Sequence, residues 1–542
     1  MYEVTASNFE ELYPKICDSL TKSKFISFDG EFSSIHSNER SRLSLFDTIE
    51  EHYNKLRLCT EPCIIIQFGI TTFDFDRDDN KYIAEVFNFH LFPKSAPGRD
   101  AVFEFQSSAI EFLCVHGFDF NKFTREGISY LSEDEEQELR CRVSNETIYH
   151  LESSISFKEQ DELTASYFQI SDWLKDPDAE KSMSLDTGST LFEYIVQKEA
   201  RRRFSKIWTE SRNGKIIIQR VDKDLRKILV EKEKDKLQMR LIDSCIGFSK
   251  IFKLLVNMKK PIIGHNIIRD LIFMHQQFYK PLPTKYSDFK SNIHRLFPTI
   301  YDTKHLSFEL RKIVGKDGGP LAENWKHTGL SELYELFNNG KGRYAVLNSP
   351  RCELKQEAST ANKKFHEAGW DSYCAGYCFI KMAHIFAVSR YGGSVELRAL
   401  SNIEILSGPR EYVNKVNLMR ASTHHLNLGG PEPRSERPQW LYVKSLGPFR
   451  LNIHEIADML SMHGSIDVKP FSCGQALVAT PNHRSARDII IRFRNSKEIY
   501  VAPYSLLRHS PTVKILLWGS VLISGGAIVW LVHRNLPKST VS

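Results

Sequence analysis

The pentapeptide Phe28-Asp-Gly-Glu-Phe32 constrains this chain more than any other stretch. Upstream, Phe25-Ile-Ser-Phe28 is a short apolar and β-branched run, the pattern of a buried strand. Two carboxylates, Asp29 and Glu31, stand at its end with one glycine between them. Along an extended chain residues i and i+2 project to the same face, so this spacing aims both acids at one point. Gly30 leaves room for another group to approach the backbone closely. Two like charges so near each other repel unless a cation lies between them, and clustered carboxylate oxygens suit Mg²⁺ or Mn²⁺. The pair alone is equally compatible with two solvated acids at a strand end. The rest of the chain decides.

At 542 residues the chain has room for about two to four compact units. A hydrophobic content of 41%, with 35 Phe and 20 Tyr, is ample for buried cores and excludes a disordered protein. The formal charge of +6, from 73 basic and 67 acidic residues largely interspersed, permits nucleic-acid binding without demanding it. The ten cysteines form no zinc-like array: Cys59/Cys63 and Cys374/Cys378 are CxxxC pairs, and the pattern predicts free thiols in a reducing compartment. Met1-Tyr-Glu-Val-Thr5 is neither basic nor apolar, so no signal peptide is expected and the sequon Asn145-Glu-Thr147 should go unglycosylated. Ile515 to Val532 is different, an uncharged run of 18 residues with Trp518 and Trp530 near its ends and Lys514, His533, Arg534 and Lys538 around it. As a helix it would span about 27 Å, enough for a thin bilayer. It predicts a single C-terminal anchor over 513–533, inserted after translation, with everything before it in the cytosol. Its short length and basic flanks favour the mitochondrial outer membrane over the endoplasmic reticulum.

In order along the chain, residues 7–20 read as an amphipathic helix with Phe9, Leu12, Ile16 and Leu20 on one face. The polar stretch 33–53 reads as a loop and helix. Segments 63–73 and 85–92 are strands, and three early strands followed by helices predict a mixed α/β sheet. Texture changes between about 130 and 250, where acidic runs and linkers surround a helix Leu191–Trp208 carrying Arg201-Arg-Arg203, a strand Lys215–Gln219 and a charged helix Lys223–Arg240. This block reads as an inserted subdomain, with Arg201–Arg203 as a candidate phosphate contact against the plainer alternative of a solvated face. Pro261-Ile-Ile-Gly-His-Asn266 is a strand running into a turn and then a helix that carries Asp270. Segment 298–306 is another strand end, tipped by Asp302 and Lys304. His366 stands five residues before Asp371, which leads into a long apolar helix from Ser372 to Val388. After Pro438 the order βαββαβ is that of an RNA-recognition-motif domain.

Asp29, Glu31, Asp270 and Asp371 on strand ends and helix starts can hold two divalent ions about 4 Å apart. His366 is placed to accept the proton of an attacking water, a role typically contributing about 10²–10⁴-fold. The words Phe28-Asp-Gly-Glu-Phe32, Gly264-His-Asn-Ile-Ile-Arg-Asp270 and His366-Glu-Ala-Gly-Trp-Asp371, in that order, resemble the DEDDh 3′-exonuclease superfamily. Gln67-Phe-Gly69, Phe118-Asp-Phe-Asn-Lys122 and Tyr301-Asp-Thr-Lys304 are similar to the poly(A)-specific ribonuclease family, and the resemblance runs from residue 1 to about 505. It implies an α/β, RNase H-like core, with Asp29, Glu31, Asp270 and Asp371 as ligands for two Mg²⁺ ions (Mn²⁺ as substitute), His366 as base and Lys304 contacting the RNA backbone. Glu31 and Asp270 lie 239 positions apart (270 − 31), and the family places a small single-strand-binding insert in that interval.

The chain departs from the family at two places. No His stands four residues after Arg201, Arg202 or Arg203, so the insert's Arg-x-x-x-His signature is absent. Residues 465–471 lack the tryptophan with which the poly(A) enzyme holds an mRNA cap. With the apolar run at 515–532, the chain resembles the membrane-anchored branch of the family, which implies trimming of piRNA-precursor 3′ ends on the mitochondrial surface. It also implies a PIWI protein holding the single-stranded RNA and a Tudor–KH scaffold as partner. The expected layout is nuclease core 1–130 and 251–400, insert 131–250, RRM-like domain 437–505 and transmembrane helix 513–533. The alternatives are an mRNA deadenylase and, from another class, a membrane-tethered RNA-binding adaptor with an inactive nuclease fold. The adaptor predicts a missing ligand, and all five site residues are present.

Overall fold

Strand β2 (Phe25–Phe32) lies inside a seven-stranded sheet because its flanks are apolar on both faces and only Asp29 and Glu31 break the burial. In the computed structural model the sheet order is β1 (Tyr2–Val4), β4 (Lys81–His90), β3 (Ile65–Asp76), β2, β8 (Ile262–Gly264), β9 (Ile300–Asp302), with β10 (Arg351–Leu354) also paired to β4. β2, β3 and β4 are antiparallel neighbours, whereas β8 and β9 run parallel to β2. The structure describes residues 1–535 apart from 35–40, 98, 146–154, 156, 177, 187, 213, 234, 318–320, 322, 324, 340–341, 343–347, 356–363, 393–397 and 447–451. Part of the polar stretch 33–53 and the sequon positions 146–147 therefore lie outside the described residues.

The chain divides into two compact units. The first holds the large sheet. Its main support is the helix Ala368–Tyr391, buried on nearly every side, as an all-round apolar helix must be. Phe25, Phe73, Tyr82 and Trp325 share its core with Phe379 of the helix itself. Within this unit residues Leu131 to Ile246 build a core of their own around a three-stranded antiparallel sheet, β5 (Ser182–Asp186), β7 (Lys215–Arg220) and β6 (Ile207–Arg212). Two corrections fall here. The helix expected over Leu191–Trp208 ends at Arg203, and Trp208 is the second residue of β6. The single charged helix expected over Lys223–Arg240 is two, Lys223–Glu233 and Lys236–Ile246, separated at Asp235, whose φ is +55°.

Two short strands, β11 (Lys415–Asn417) and β12 (His425–Asn427), follow the long helix. The second unit comprises residues 42–52, 418–426 and 432–542. Its strands β13 (Leu441–Ser445), β14 (Asp467–Ser472), β15 (Gln475–Ala479) and β16 (Ile499–Pro503) and the helices Ile453–Leu460 and His483–Arg492 follow one another as βαββαβ, with sheet order β14-β15-β13-β16. Segment 42–52 joins it through Asp467, which accepts the Leu45 N–H at 2.7 Å and pairs with Arg420. The chain continues as a helix, Pro511–Asn535. Among the described residues no helix is long and apolar enough to cross a membrane. The run 515–532 includes positions 517, 518 and 532, whose side chains lie outside them, so the expected span stands on the sequence alone.

Candidate active site

Asp29 and Glu31 leave β2 on the same face, as its period of two requires. Asp371, in the first turn of the helix Ala368–Tyr391, meets them, and one carboxylate oxygen from each of the three lies within 4.8 Å of the others. Asp270, from the helix Ile268–Met274, stands beside this triad rather than in it: a Cβ added at Gly30 would lie 3.2 Å from its Oδ1. The glycine between the two acids is therefore the gap that admits the fourth.

The four carboxylates are crowded and poorly solvated. Burial, with the charges of Asp270, Asp371 and Glu31, holds Asp29 well above the ordinary carboxylate range. Burial and the charges of Asp371 and Asp270 do the same to Glu31. Burial raises Asp270 to about 8, against hydrogen bonds from its own N–H and that of Gly30. Asp371 is raised to about 7, again by burial, against the N–H of His366. Oδ1 of Asp270 and Oδ1 of Asp371 are buried without a hydrogen-bond partner.

His366 sits where a left-handed backbone is needed, with φ of +67°. Its N–H donates to Oδ2 of Asp371 at 3.0 Å. Its ring lies edge-to-face with those of Phe112 (4.9 Å between centroids) and His116 (4.2 Å). Burial and the neighbouring His116 lower its pKa, which favours the neutral imidazole. Phe112 and His116, in and just after the helix Ser107–Val115, were not singled out by the sequence. No spacing rule ties them to His366, and the nearest signal is their place just before the word Phe118-Asp-Phe-Asn-Lys122.

β3 and β4 seat the turn that carries His366 and Asp371. The first N–H groups of a helix lack intrahelical partners. Here Ala368 N–H donates to Oε1 of buried Gln67 at 3.0 Å, and Gly369 N–H donates to Oδ1 of Asn88 at 3.1 Å. Gly69 is obligatory: a Cβ there would lie 1.9 Å from the Ala368 carbonyl oxygen.

The remaining sequence candidates sit differently. Lys304 is half-buried and its ammonium donates to the Thr328 carbonyl at 2.8 Å. Asp302 accepts the N–H groups of Asn266, Lys304 and Asn417, each at 2.9 Å, and serves the fold rather than the acid cluster. The arginine triplet is turned to internal work: Arg201 pairs with Glu233, while Arg202 and Arg203 both pair with buried Glu199.

A profile described as CAF1 family ribonuclease matches residues 4–379. The pre-piRNA 3′-exonuclease trimmer of Bombyx mori is 36% identical over 551 residues, covering 99% of both chains. The poly(A)-specific ribonuclease PNLDC1 of Mus musculus is 30% identical over 548 residues, 99% of this chain and all of that one (100%). The poly(A)-specific ribonuclease PARN of Homo sapiens is 30% identical, over 86% of this chain and 74% of the other. Among solved structures, S. pombe Pop2p in its Mg²⁺ and Mn²⁺ bound form aligns over 72% of this chain and 92% of its own at 14% identity. Its TM-score of 0.32 is too low to carry an argument.

Proposed function

The chain belongs to the CAF1 ribonuclease family and is a 3′→5′ exoribonuclease, and from that premise we propose that it trims piRNA-precursor 3′ ends by metal-dependent hydrolysis. The observation that carries the chemistry is the convergence of Asp29, Glu31 and Asp371 from distant stretches, with Asp270 beside them. Buried oxygens without donors, on acids whose ionised forms are disfavoured, fit Mg²⁺ or Mn²⁺. Asp29, Glu31, Asp270 and Asp371 would hold the metal, which when bound activates water and stabilises charge on the leaving 3′ oxygen.

The chain's own contribution is proton management and position. His366, favoured neutral, takes the proton of the attacking water. Water adds to the terminal phosphorus and the bond to the 3′ oxygen breaks, giving a nucleoside 5′-monophosphate and an RNA one nucleotide shorter with a free 3′-OH.

End-to-end similarity to the Bombyx mori protein supports the substrate. On this reading a PIWI protein presents the precursor, a Tudor–KH protein serves as scaffold, and residues 513–533 hold the chain at the mitochondrial surface. The uncharged run 515–532 supports the anchor. The test offers the purified chain free poly(A), free mixed-sequence RNA and PIWI-bound precursor, with Mg²⁺ or with chelator. Fastest trimming of the PIWI-bound RNA, lost with chelator, is expected. Preference for free poly(A) makes it a deadenylase, and extraction of the full chain from membranes by alkaline carbonate removes the anchor.

A further inference from the structure

The edge strand β1 brings a charged residue to the turn that carries His366. β1 runs parallel beside β4, with Glu3 opposite Asn88. Asn88 and His90, two residues apart on β4, project to the same face, and both are buried. The half-buried Glu3 carboxylate lies between them. Its Oε1 accepts from Nδ2 of Asn88 at 3.0 Å, and its Oε2 accepts the Nε2–H of His90 at 2.8 Å. The other ring nitrogen of His90, Nδ1, is buried with no partner among the described residues, so the contact with Glu3 sets the tautomer.

Lys122 completes the grip, with its ammonium 3.4 Å from the same Oε2. It ends the word Phe118-Asp-Phe-Asn-Lys122, which has no residue in the acid cluster. Asp119 of that word caps the helix Phe120–Glu126 by accepting the Lys122 N–H at 3.0 Å, and the Phe118 ring lies 6.1 Å from that of His90. Burial pushes the Glu3 carboxyl up, but the hydrogen bond and charge of His90, the Asn88 amide and the charge of Lys122 outweigh it and hold the group at about 2. What this ionised group grips is an amide with two unlike ends. Oδ1 of Asn88 accepts the Gly369 N–H at 3.1 Å, and its Nδ2 also donates, at 3.3 Å, to Oε1 of Glu367, the neighbour of His366. An amide that presents Nδ2 to two carboxyl groups must present its oxygen to Gly369. Turned over, it would set its NH₂ against an N–H and its oxygen against the carboxyl groups.

We propose that Glu3 is a positioning residue for the reaction: it fixes the orientation of the Asn88 amide, which seats the turn that sets His366 against the attacking water. His90 and Lys122 fix Glu3 in turn, so the word at 118–122 acts on the site through Glu3 and Asn88. The effect on rate rests on the ribonuclease reading above, whereas the effect on the turn does not.

Two measurements on the full chain in detergent test it, and one of them is blind to activity. Hydrogen exchange of the metal-free chain is read by mass spectrometry. In Glu3→Ala the peptide covering 366–371 should exchange about tenfold faster than in the parent, while peptides of β15 stay unchanged. Trimming of a labelled RNA with Mg²⁺ should show kcat about tenfold lower and KM within about twofold, a part of the ~10²-fold that a displacement of about 1 Å costs. Glu3→Gln keeps an acceptor for Asn88 but turns an NH₂ toward His90 and Lys122, so it should fall between the parent and Glu3→Ala in both readouts. Glu3→Ala added to Asn88→Ala should slow trimming no further, because one acts through the other. Exchange at 366–371 that both Glu3 variants leave unchanged, kcat of Glu3→Ala within about twofold of an active parent, or additive losses in the double variant each overturn the proposal. A parent that fails to trim removes the nuclease reading instead, and the exchange result still judges the hold of Glu3 on the turn.

Discussion

Gly69→Ala should inactivate the enzyme without touching an acid or the substrate. A Cβ at position 69 would meet Ala368 O at 1.9 Å, Ala368 C at 2.1 Å and Gly369 N at 2.4 Å, all backbone atoms. Ordinary contact begins at 3.4 Å, so the 368–369 peptide must retreat by 3.4 − 1.9 = 1.5 Å. It cannot retreat alone. Asn88 holds its N–H, Gln67 holds the Ala368 N–H just before it, and His366 and Asp371 lie on either side of it. A displacement of about 1 Å in a catalytic group can cost about 10²-fold in rate, so kcat should fall by about that factor or more. Stability should fall by about 1–3 kcal/mol, the usual cost of overpacking. Single-turnover trimming of a labelled RNA reads the first and thermal unfolding the second. Gly315→Ala is the control: its Cβ meets nothing within 4 Å inside the helix Thr303–Asp317, so it should leave kcat alone and stabilise by about 0.5–1 kcal/mol. Activity of Gly69→Ala within about threefold of the parent would refute the claim that β3 is the seat of the His366–Asp371 turn.

Further outcomes follow from the same geometry. Asp270 and Asp371 have folded-state pKa values raised to about 8 and about 7, so the folded metal-free chain binds more protons than the unfolded chain between the ordinary carboxylate range and those values. Metal-free stability should therefore fall as pH rises through that window, and the rise in Tm on adding Mg²⁺ should be larger at pH 8.5 than at pH 5.5; equal increments would contradict the assignment. His116→Ala removes the ring 4.2 Å from His366 and should lower kcat about tenfold with little change in KM, whereas His116→Phe, which keeps an edge-to-face ring, should recover most of it. Gln67→Leu leaves the Ala368 N–H without its acceptor at a buried site and should cost about 1–3 kcal/mol in chemical denaturation.

What the sequence made legible follows the range over which its signals act. Asp29 and Glu31 could be placed on one face because strand period is local. That Asp270 stands next to the triad, in the gap over Gly30, depends on how the helix Ile268–Met274 packs, and no spacing encodes it. The positive φ of His366 was equally out of reach, since nothing about a histidine before Glu-Ala-Gly marks it as left-handed. In the insert a local signal does mark an element. The acids Glu133–Glu136 fill the first turn of the helix Glu133–Asn145, where negative charge complements the helix dipole, so the acidic run is a helix start. Segment 42–52 belongs with a sheet formed more than 400 positions later through Asp467, a contact that periodicity cannot reveal.

The motif words are better understood as one mechanical unit than as separate contacts to RNA. Ser27, two residues before Asp29, donates to the Ser372 carbonyl at 2.6 Å, and Thr71 shares a hydrogen bond of 2.7 Å with the Ser372 hydroxyl. Gly376 lies so close to Phe73 that a Cβ would reach its ring at 2.2 Å. Each contact ties β2 or β3 to the helix that carries Asp371, and none involves a charged group. Burying four carboxylates near one another is unfavourable in the absence of a cation, and side chains free to move would relax apart. Small residues on the helix and hydroxyls on the strands prevent that relaxation, so Gln67 and Gly69 should behave in assays as active-site residues although they face the helix and not the substrate.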